Sequence, residues 1–86
     1  MLVRVQIFAQ AKEFCGGVSF LELSLPEGAS VSQLRDELGA SYPTLLALLP
    51  ACRFAVSLEF VEVELESTRI LSEHFEIALI QPVSGG

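Results

Sequence analysis

Apolar and polar residues alternate over the first quarter of the chain, which is the pattern of strands with one buried face. The alternation predicts one strand over residues 2–8 and another over residues 20–25. Gly16 and Gly17 supply turn freedom between them, so we expect a hairpin whose loop is long enough to hold a helical turn around residues 11–14.

Apolar residues in the middle of the chain recur with helical spacing. Ser30 and Gln33 match a capping box, in which the Ser30 side chain accepts from the Gln33 amide and Gln33 reaches back. The helix that follows is expected to end at Gly39, which suits a left-handed stop. Prolines flank a second short helix, expected over residues 44–49.

The period of two returns after Arg53 and predicts three further strands, around residues 54–58, 61–65 and 75–79. The order is two strands, a helix, then strands. We therefore predict an α+β domain over residues 1–80, in which a mixed sheet of about four to five strands packs on one main helix and a short second helix. Residues 81–86 are expected to form an extended C-terminal tail.

Phe8, Ala78 and Ile80 fall out of phase with the inward sets of their strands. Unless small helices and loops cover them, they should be exposed on the open face of the sheet or at strand ends. An exposed apolar patch usually marks a contact surface, so Phe8 and Ile80, together with Phe60, are candidate partner contacts.

Length and hydropathy indicate one globular domain. The 86 residues are too few for two cores, and the mean hydropathy of +0.54 is high. No apolar run approaches the roughly 20 residues that span a bilayer, and the start lacks the basic and apolar regions of a signal peptide. We expect a cytoplasmic protein without membrane contact.

The formal net charge is −6, with five Lys and Arg in all. Such a surface repels phosphate backbones, which argues against nucleic-acid binding. It favours a basic protein partner or a basic pocket, although acidity kept for solubility explains the same charge.

The chain encodes no recognisable catalytic or metal site of its own. Cys15 and Cys52 form no C-x-x-C pair, and the single His74 cannot complete a zinc site with them at a familiar spacing. We expect two reduced thiols that behave as small hydrophobic groups. No nucleophile has an identifiable base, no phosphate-binding glycine motif is present, and the clustered glutamates are typical of a solvated edge.

The remaining feature is the ending "PVSGG". Six residues reach at most about 20 Å beyond the last strand, Pro82 stiffens the exit, and Gly85 and Gly86 make a tip thin enough for a narrow slot in another protein. A terminal carboxylate is ionised at neutral pH and reacts only after activation, most simply by adenylation with ATP. The alternative is a frayed terminus.

Three segments carry a resemblance to a known family: "VQIFAQAKEFCGG" near the start, "FAVSLEFVE" from Phe54, and "EIALIQPVSGG" at the end. They resemble the β-grasp, ubiquitin-like sulfur carriers, and among these the small subunits of molybdopterin synthase. The sequence departs from the common family pattern at His74-Phe75 in place of a Gly-Asp turn, at Gln81-Pro82 in place of a double proline, and at Ser57 in place of an Asn.

The resemblance implies that Gly86 is adenylated, converted to a thiocarboxylate and used to give sulfur to cyclic pyranopterin monophosphate, which makes the dithiolene of molybdopterin. It implies two protein partners. The large synthase subunit would provide most of the contacts to the pterin substrate, and a ubiquitin-activating-type enzyme would use the ATP. This chain itself would bind no cofactor and no metal. The expected partner-binding residues are Pro82, Val83, Ser84, Gly85 and Gly86, with Phe8, Phe60 and Ile80 as further candidates.

Two alternatives stay open. The chain could be a carrier for thiazole or tRNA thiolation or a ubiquitin-like modifier, which the identity of the co-purifying protein would show. It could also be a non-catalytic interaction module that uses its apolar face and the acidic edge at Glu59, Glu62 and Glu64. Truncation of the tail would then be silent.

Overall fold

The computed structural model describes residues 1–82, which build a five-stranded mixed sheet. The strand order is β2-β1-β5-β3-β4. The central pair, β1 and β5, is parallel, whereas the other neighbours are antiparallel. The strands are β1 (Leu2–Gln6), β2 (Phe20–Ser24), β3 (Arg53–Val56), β4 (Glu59–Val61) and β5 (Ile77–Ile80).

Two α-helices lie in the connections. The short α1 (Ala9–Phe14) lies between β1 and β2, and α2 (Val31–Ser41) precedes β3. The predicted capping box starts α2: the Gln33 N–H donates to Ser30 Oγ at 3.2 Å, and the Ser30 N–H donates to Gln33 Oε1 at 2.9 Å. Both bonds satisfy amides that the first helical turn leaves without partners.

The core lies between one face of the sheet and α2. The alternation predicted for the strands is confirmed, because every second residue of β1, β2 and β5 is buried. Ile7, just beyond β1, continues the inward set. The fully buried side chains of this cluster include Val3, Val5, Ile7, Val31, Leu34, Leu38, Leu45, Phe54, Val56 and Leu79.

The expected helical stop at Gly39 is wrong. α2 continues to Ser41, and Gly39 is buried within it. A Cβ on Gly39 would lie 2.8 Å from Leu46 Cδ2. The absent side chain therefore lets the segment after α2 pack closely against the helix, which is a different use of glycine from the one predicted.

The short helix predicted over residues 44–49 is replaced by two 3₁₀ helices, Pro43–Leu45 and Leu49–Ala51. Each carries its proline in the first two positions, and Pro50 lies inside the second one rather than closing a helix. The stretch between the two prolines is too short to stabilise several α-helical turns, so i to i+3 bonds form instead.

The third predicted strand also ends early. Ser57 and Leu58 have positive φ angles of 50° and 71° and form a two-residue turn, because Val56 pairs with Glu59. Leu58 is 90% exposed. The strand predicted over residues 61–65 is replaced by the end of β4 and a 3₁₀ helix, Val63–Leu65. Phe75 lies before β5 and packs half-buried against the core.

Candidate functional site: the open sheet face and the start of the tail

The chain leaves the sheet from a central strand. β5 lies between β1 and β3, with Ile77 and Leu79 directed into the core and Ala78 and Ile80 toward the open face. Gln81 and Pro82, here called the tail root, follow directly after β5. Val83, Ser84, Gly85 and Gly86 lie outside the described residues, so the predictions made for them remain predictions.

Apolar side chains gather on the open face around this exit. In the register of the sheet, Ala78 pairs with Ala55, and Ala55 pairs with Phe60, so these three share the face that α2 does not cover. Phe60 is 67% exposed and Phe8 is 48% exposed. We call Phe8, Ala55, Phe60, Ala78 and Ile80 the open-face patch.

The tail root is a ridge between two shallow depressions. One is lined by Phe8, Ala9 and Gln10, and the other by Ala51, Arg53 and Phe60. Both depressions share Ile80, Gln81 and Pro82. The structure thus brings Phe8, Phe60, Ile80 and Pro82 together at the place where the tail leaves the sheet.

Sequence reasoning missed the part that Gln81 plays at this site. Its side-chain Oε1 accepts a hydrogen bond of 3.1 Å from the backbone N–H of Ala11 in α1. The two residues are 70 positions apart, and no local pattern connects them.

One charged side chain adjoins the patch at the tail root: exposed Arg53 pairs with Ile80 in the register of the sheet and lines one of the depressions. Arg4 and Glu22 form an exposed ion pair of 3.5 Å, which lies further back along β1 and away from the tail root. The Arg4 guanidinium carbon lies 4.1 Å from the centroid of the Phe20 ring. The exposed glutamates 59, 62 and 64 lie on and beyond the edge strand β4. The acidic edge therefore borders the open-face patch on the β4 side.

Glu66 does not belong to that solvated edge, which corrects the sequence interpretation. It is 3% exposed, and its carboxylate accepts hydrogen bonds of 2.8 and 2.6 Å from the Arg35 guanidinium. Arg35 also donates to the carbonyl oxygens of Leu49 and Cys52. The hydrogen bonds to Glu66 raise the pKa of Arg35 above its ordinary value. These hydrogen bonds connect α2 to the segment that contains Leu49 and Cys52 and to the segment that contains Glu66.

The thiols are placed as structural groups. Cys52 is buried and Cys15 is half-buried. Burial raises the pKa of both thiols, partly offset by the Thr44 hydroxyl at Cys15 and by the Arg35 and Arg53 charges at Cys52. A raised pKa keeps a thiol protonated and unreactive at neutral pH.

Other candidate chemistry is equally sparse in the described part. His74 is exposed in a turn. Among residues 1–82, no group of three His, Cys, Asp or Glu side chains could hold a metal ion. None of the helices over this range is long and apolar enough to cross a membrane.

Comparisons with known proteins agree with this architecture. SAMP1 from Haloferax volcanii superposes with a TM-score of 0.81 at 20% identity, over 100% of both chains. A chain of the complex of subunits 1 and 2 of molybdopterin-converting factor from Helicobacter pylori gives a TM-score of 0.71 at 22% identity, also over 100% of both. At these identities the likeness shows the fold, and the predicted β-grasp, ubiquitin-like architecture is confirmed.

Sequence relatives are closer. The molybdopterin synthase sulfur carrier subunit of Chlamydomonas reinhardtii is 31% identical over 100% of both chains. The human protein of that name is 34% identical over 98% of this chain and 93% of its own length. The ThiS family profile matches residues 5–86. The chain therefore belongs to the ThiS family, together with the molybdopterin synthase sulfur carrier subunits.

Proposed function

We propose that this chain is a sulfur carrier in molybdenum cofactor biosynthesis. In this proposal, the Gly86 carboxylate is adenylated, converted to a thiocarboxylate, and donates its sulfur to cyclic pyranopterin monophosphate within a molybdopterin synthase complex. The names of the full-length relatives support this function. The observation that carries it is the tail root, which leaves the centre of the sheet inside the open-face patch.

The chemistry explains why the chain needs no catalytic group. A carboxylate oxygen attacks the α-phosphorus of ATP and releases pyrophosphate, which gives an acyl adenylate. Hydrosulfide then attacks the carbonyl carbon and displaces AMP, which leaves a thiocarboxylate and releases a proton. A side chain at the reacting residue would crowd both attacks, and glycine has none. The activating enzyme supplies ATP binding and catalysis, and this chain supplies the acyl group.

The open-face patch supplies binding. Exposed aromatic side chains around a central point are typical of the residues that dominate interface energies, and here they surround the start of the reactive tail. We propose that the large synthase subunit covers the patch while it receives the tail. The H. pylori structure, which holds subunits 1 and 2 of a molybdopterin-converting factor together, supports such a pairing.

The net charge supports a division of labour. At −6, this chain disfavours a phosphate-bearing pterin on its own surface, so the basic groups that hold the substrate belong to the large subunit. The chain is then one subunit of a sulfurtransferase complex rather than a self-contained enzyme.

The test uses the full chain with its large subunit and activating enzyme from the same organism. Thiocarboxylation replaces one oxygen by sulfur and adds about 16 Da to the intact mass. We expect that increment on the unaltered chain and on a control with one alanine ahead of Met1. We expect neither the increment nor molybdopterin on a chain with one alanine after Gly86, although its fold and partner binding persist. Sulfur transfer by an uncut, C-terminally extended chain would refute the proposal.

A modifier or another thiolation carrier is the second candidate, because the SAMP1 structures share the fold. The same preparation separates the two. A carrier appears as a free thiocarboxylate and forms molybdopterin with the large subunit, whereas a modifier appears in isopeptide bonds to lysines of other proteins.

A further inference from the structure

The N-terminus of α1 lacks a local cap. Phe8 occupies the N-cap position and offers no side-chain acceptor to the first turn. The Lys12 N–H donates to the Phe8 carbonyl at 3.2 Å, but the amides before it need partners from elsewhere. Ala9 has a φ of 49°, a conformation that a non-glycine residue keeps only where its surroundings hold it.

The missing acceptor comes from the tail root. Gln81 Oε1 accepts from the N–H of Ala11 at 3.1 Å, and Ala11 is fully buried. Because β1 and β5 are parallel neighbours, the residues that follow each strand leave the sheet at the same end. α1 follows β1 and the tail follows β5, so this hydrogen bond joins the two exits.

We propose that Gln81 is a positioning residue for the tail. The strand ladder of β5 ends at Ile80, and the Gln81 hydrogen bond adds one further fixed point. Pro82 then leaves along the ridge between Phe8 and Phe60. The inference rests on the proposed function for its purpose, since a tail held in one direction loses less freedom when it enters a partner's cleft.

This role predicts a particular kinetic signature. Gln81 does not touch the reacting carboxylate, so its loss changes how often the tail enters the cleft and leaves the chemical step alone. A single hydrogen bond of ordinary strength corresponds to a change of about 2- to 10-fold. For Gln81→Ala we expect the KM in thiocarboxylation and the Kd for the large subunit to rise by about that factor, with kcat unchanged.

Two companion variants separate positioning from general stability. Gln81→Glu keeps an acceptor at the same reach, and a carboxylate is favoured at a helix N-terminus, so it should restore the KM. Glu13→Ala removes an exposed polar side chain from the same helix, away from both depressions and without removing the acceptor, so it should leave the KM unchanged.

Nuclear magnetic resonance on the free chain tests the hydrogen bond without sulfur chemistry. In Gln81→Ala, we expect faster amide exchange at Ala11 and weaker Overhauser contacts between Pro82 and the α1 side of its depression. Both should persist in Gln81→Glu and Glu13→Ala. Unchanged exchange and contacts in Gln81→Ala would overturn the proposal.

The kinetic and binding measurements, taken together with the resonance measurements, also distinguish this inference from the proposed function. If Gln81→Ala loses the contacts yet keeps its KM and Kd, the hydrogen bond orients the tail root without affecting entry into the partner's cleft, and the inference fails alone. If the unaltered chain forms no thiocarboxylate, the proposed function fails, and the resonance measurements still decide whether Gln81 orients the tail root.

Discussion

At the residue scale, the Arg35 and Glu66 pair is the one ion pair among residues 1–82 in which both side chains are largely buried. Its charges are largely removed from water, with side-chain exposures of 19% and 5%. The guanidinium donates four hydrogen bonds. Such a pair costs desolvation energy when it forms, but removal of one partner leaves an uncompensated charge.

We therefore expect Glu66→Ala to lower the free energy of unfolding by about 3–5 kcal/mol. Urea denaturation at neutral pH measures this. Glu64→Ala is the matched control, because Glu64 is exposed two positions away, and it should change the stability by less than about 0.5 kcal/mol. Equal effects of the two variants would show that the buried pair does not stabilise the fold.

Glu66 also shows where sequence reasoning stops at this scale. Glu62, Glu64 and Glu66 alternate with apolar residues in the same way, so the pattern assigns all three to one exposed face. The partner that selects Glu66 lies 31 positions earlier. The choice follows from tertiary packing, as it does for Gln81 and Ala11.

At the scale of elements, the β3–β4 turn is strained, because two residues other than glycine have positive φ angles there. A two-residue hairpin turn with positive φ at both positions favours Asn and Gly, whereas this chain has Ser57 and Leu58. Leu58 gains nothing from burial there, because it is 90% exposed.

We expect Leu58→Gly to raise the free energy of unfolding by about 0.5–1 kcal/mol, because glycine adopts positive φ without the steric cost that a Cβ brings. Leu58→Ala is the control: it also removes the exposed side chain but keeps the Cβ, so it should gain little. Thermal unfolding by circular dichroism compares them. A loss of stability in Leu58→Gly would contradict this account of the turn.

The elements that local rules dictate were predictable, and those that depend on distant contacts were not. Alternation predicted the core faces of β1, β2 and β5, and the Ser30–Gln33 box predicted the start of α2. The alternation of Val56 and Leu58 continued through a turn, so it predicted a strand that was too long. The prediction for Gly39 was wrong because the lack of a side chain there serves close packing against Leu46, a contact that no local sequence pattern shows.

At the scale of the whole molecule, the candidate site is a mainly apolar surface from which the tail root leaves the sheet. Phe8, Phe60 and Ile80 were candidate contacts from the sequence, and the register of the sheet places Phe60 on the same face as Ala55 and Ala78. The exposure of these side chains means that they contribute little to the core, so function and stability can be varied separately.

We expect Phe60→Ser to weaken binding of the large synthase subunit by about tenfold or more, with little change in unfolding temperature, because the side chain is 67% exposed. Calorimetric titration measures the affinity. Leu2→Ser is the matched control: Leu2 is 55% exposed on the same face but lies about 20 Å along β1 from Phe8. Equal losses from both variants would show that the patch does not mark the interface.

The parallel pairing of β1 and β5 has a practical consequence. Both strands run in one direction, so Met1 lies at one end of the sheet and Pro82 emerges from the other. The Met1 amino group is held by the Leu25 carbonyl at 2.6 Å. A fluorophore or affinity handle joined by a flexible spacer ahead of Met1 would lie a full sheet length from the tail root, so it would leave the proposed interface uncovered in binding measurements.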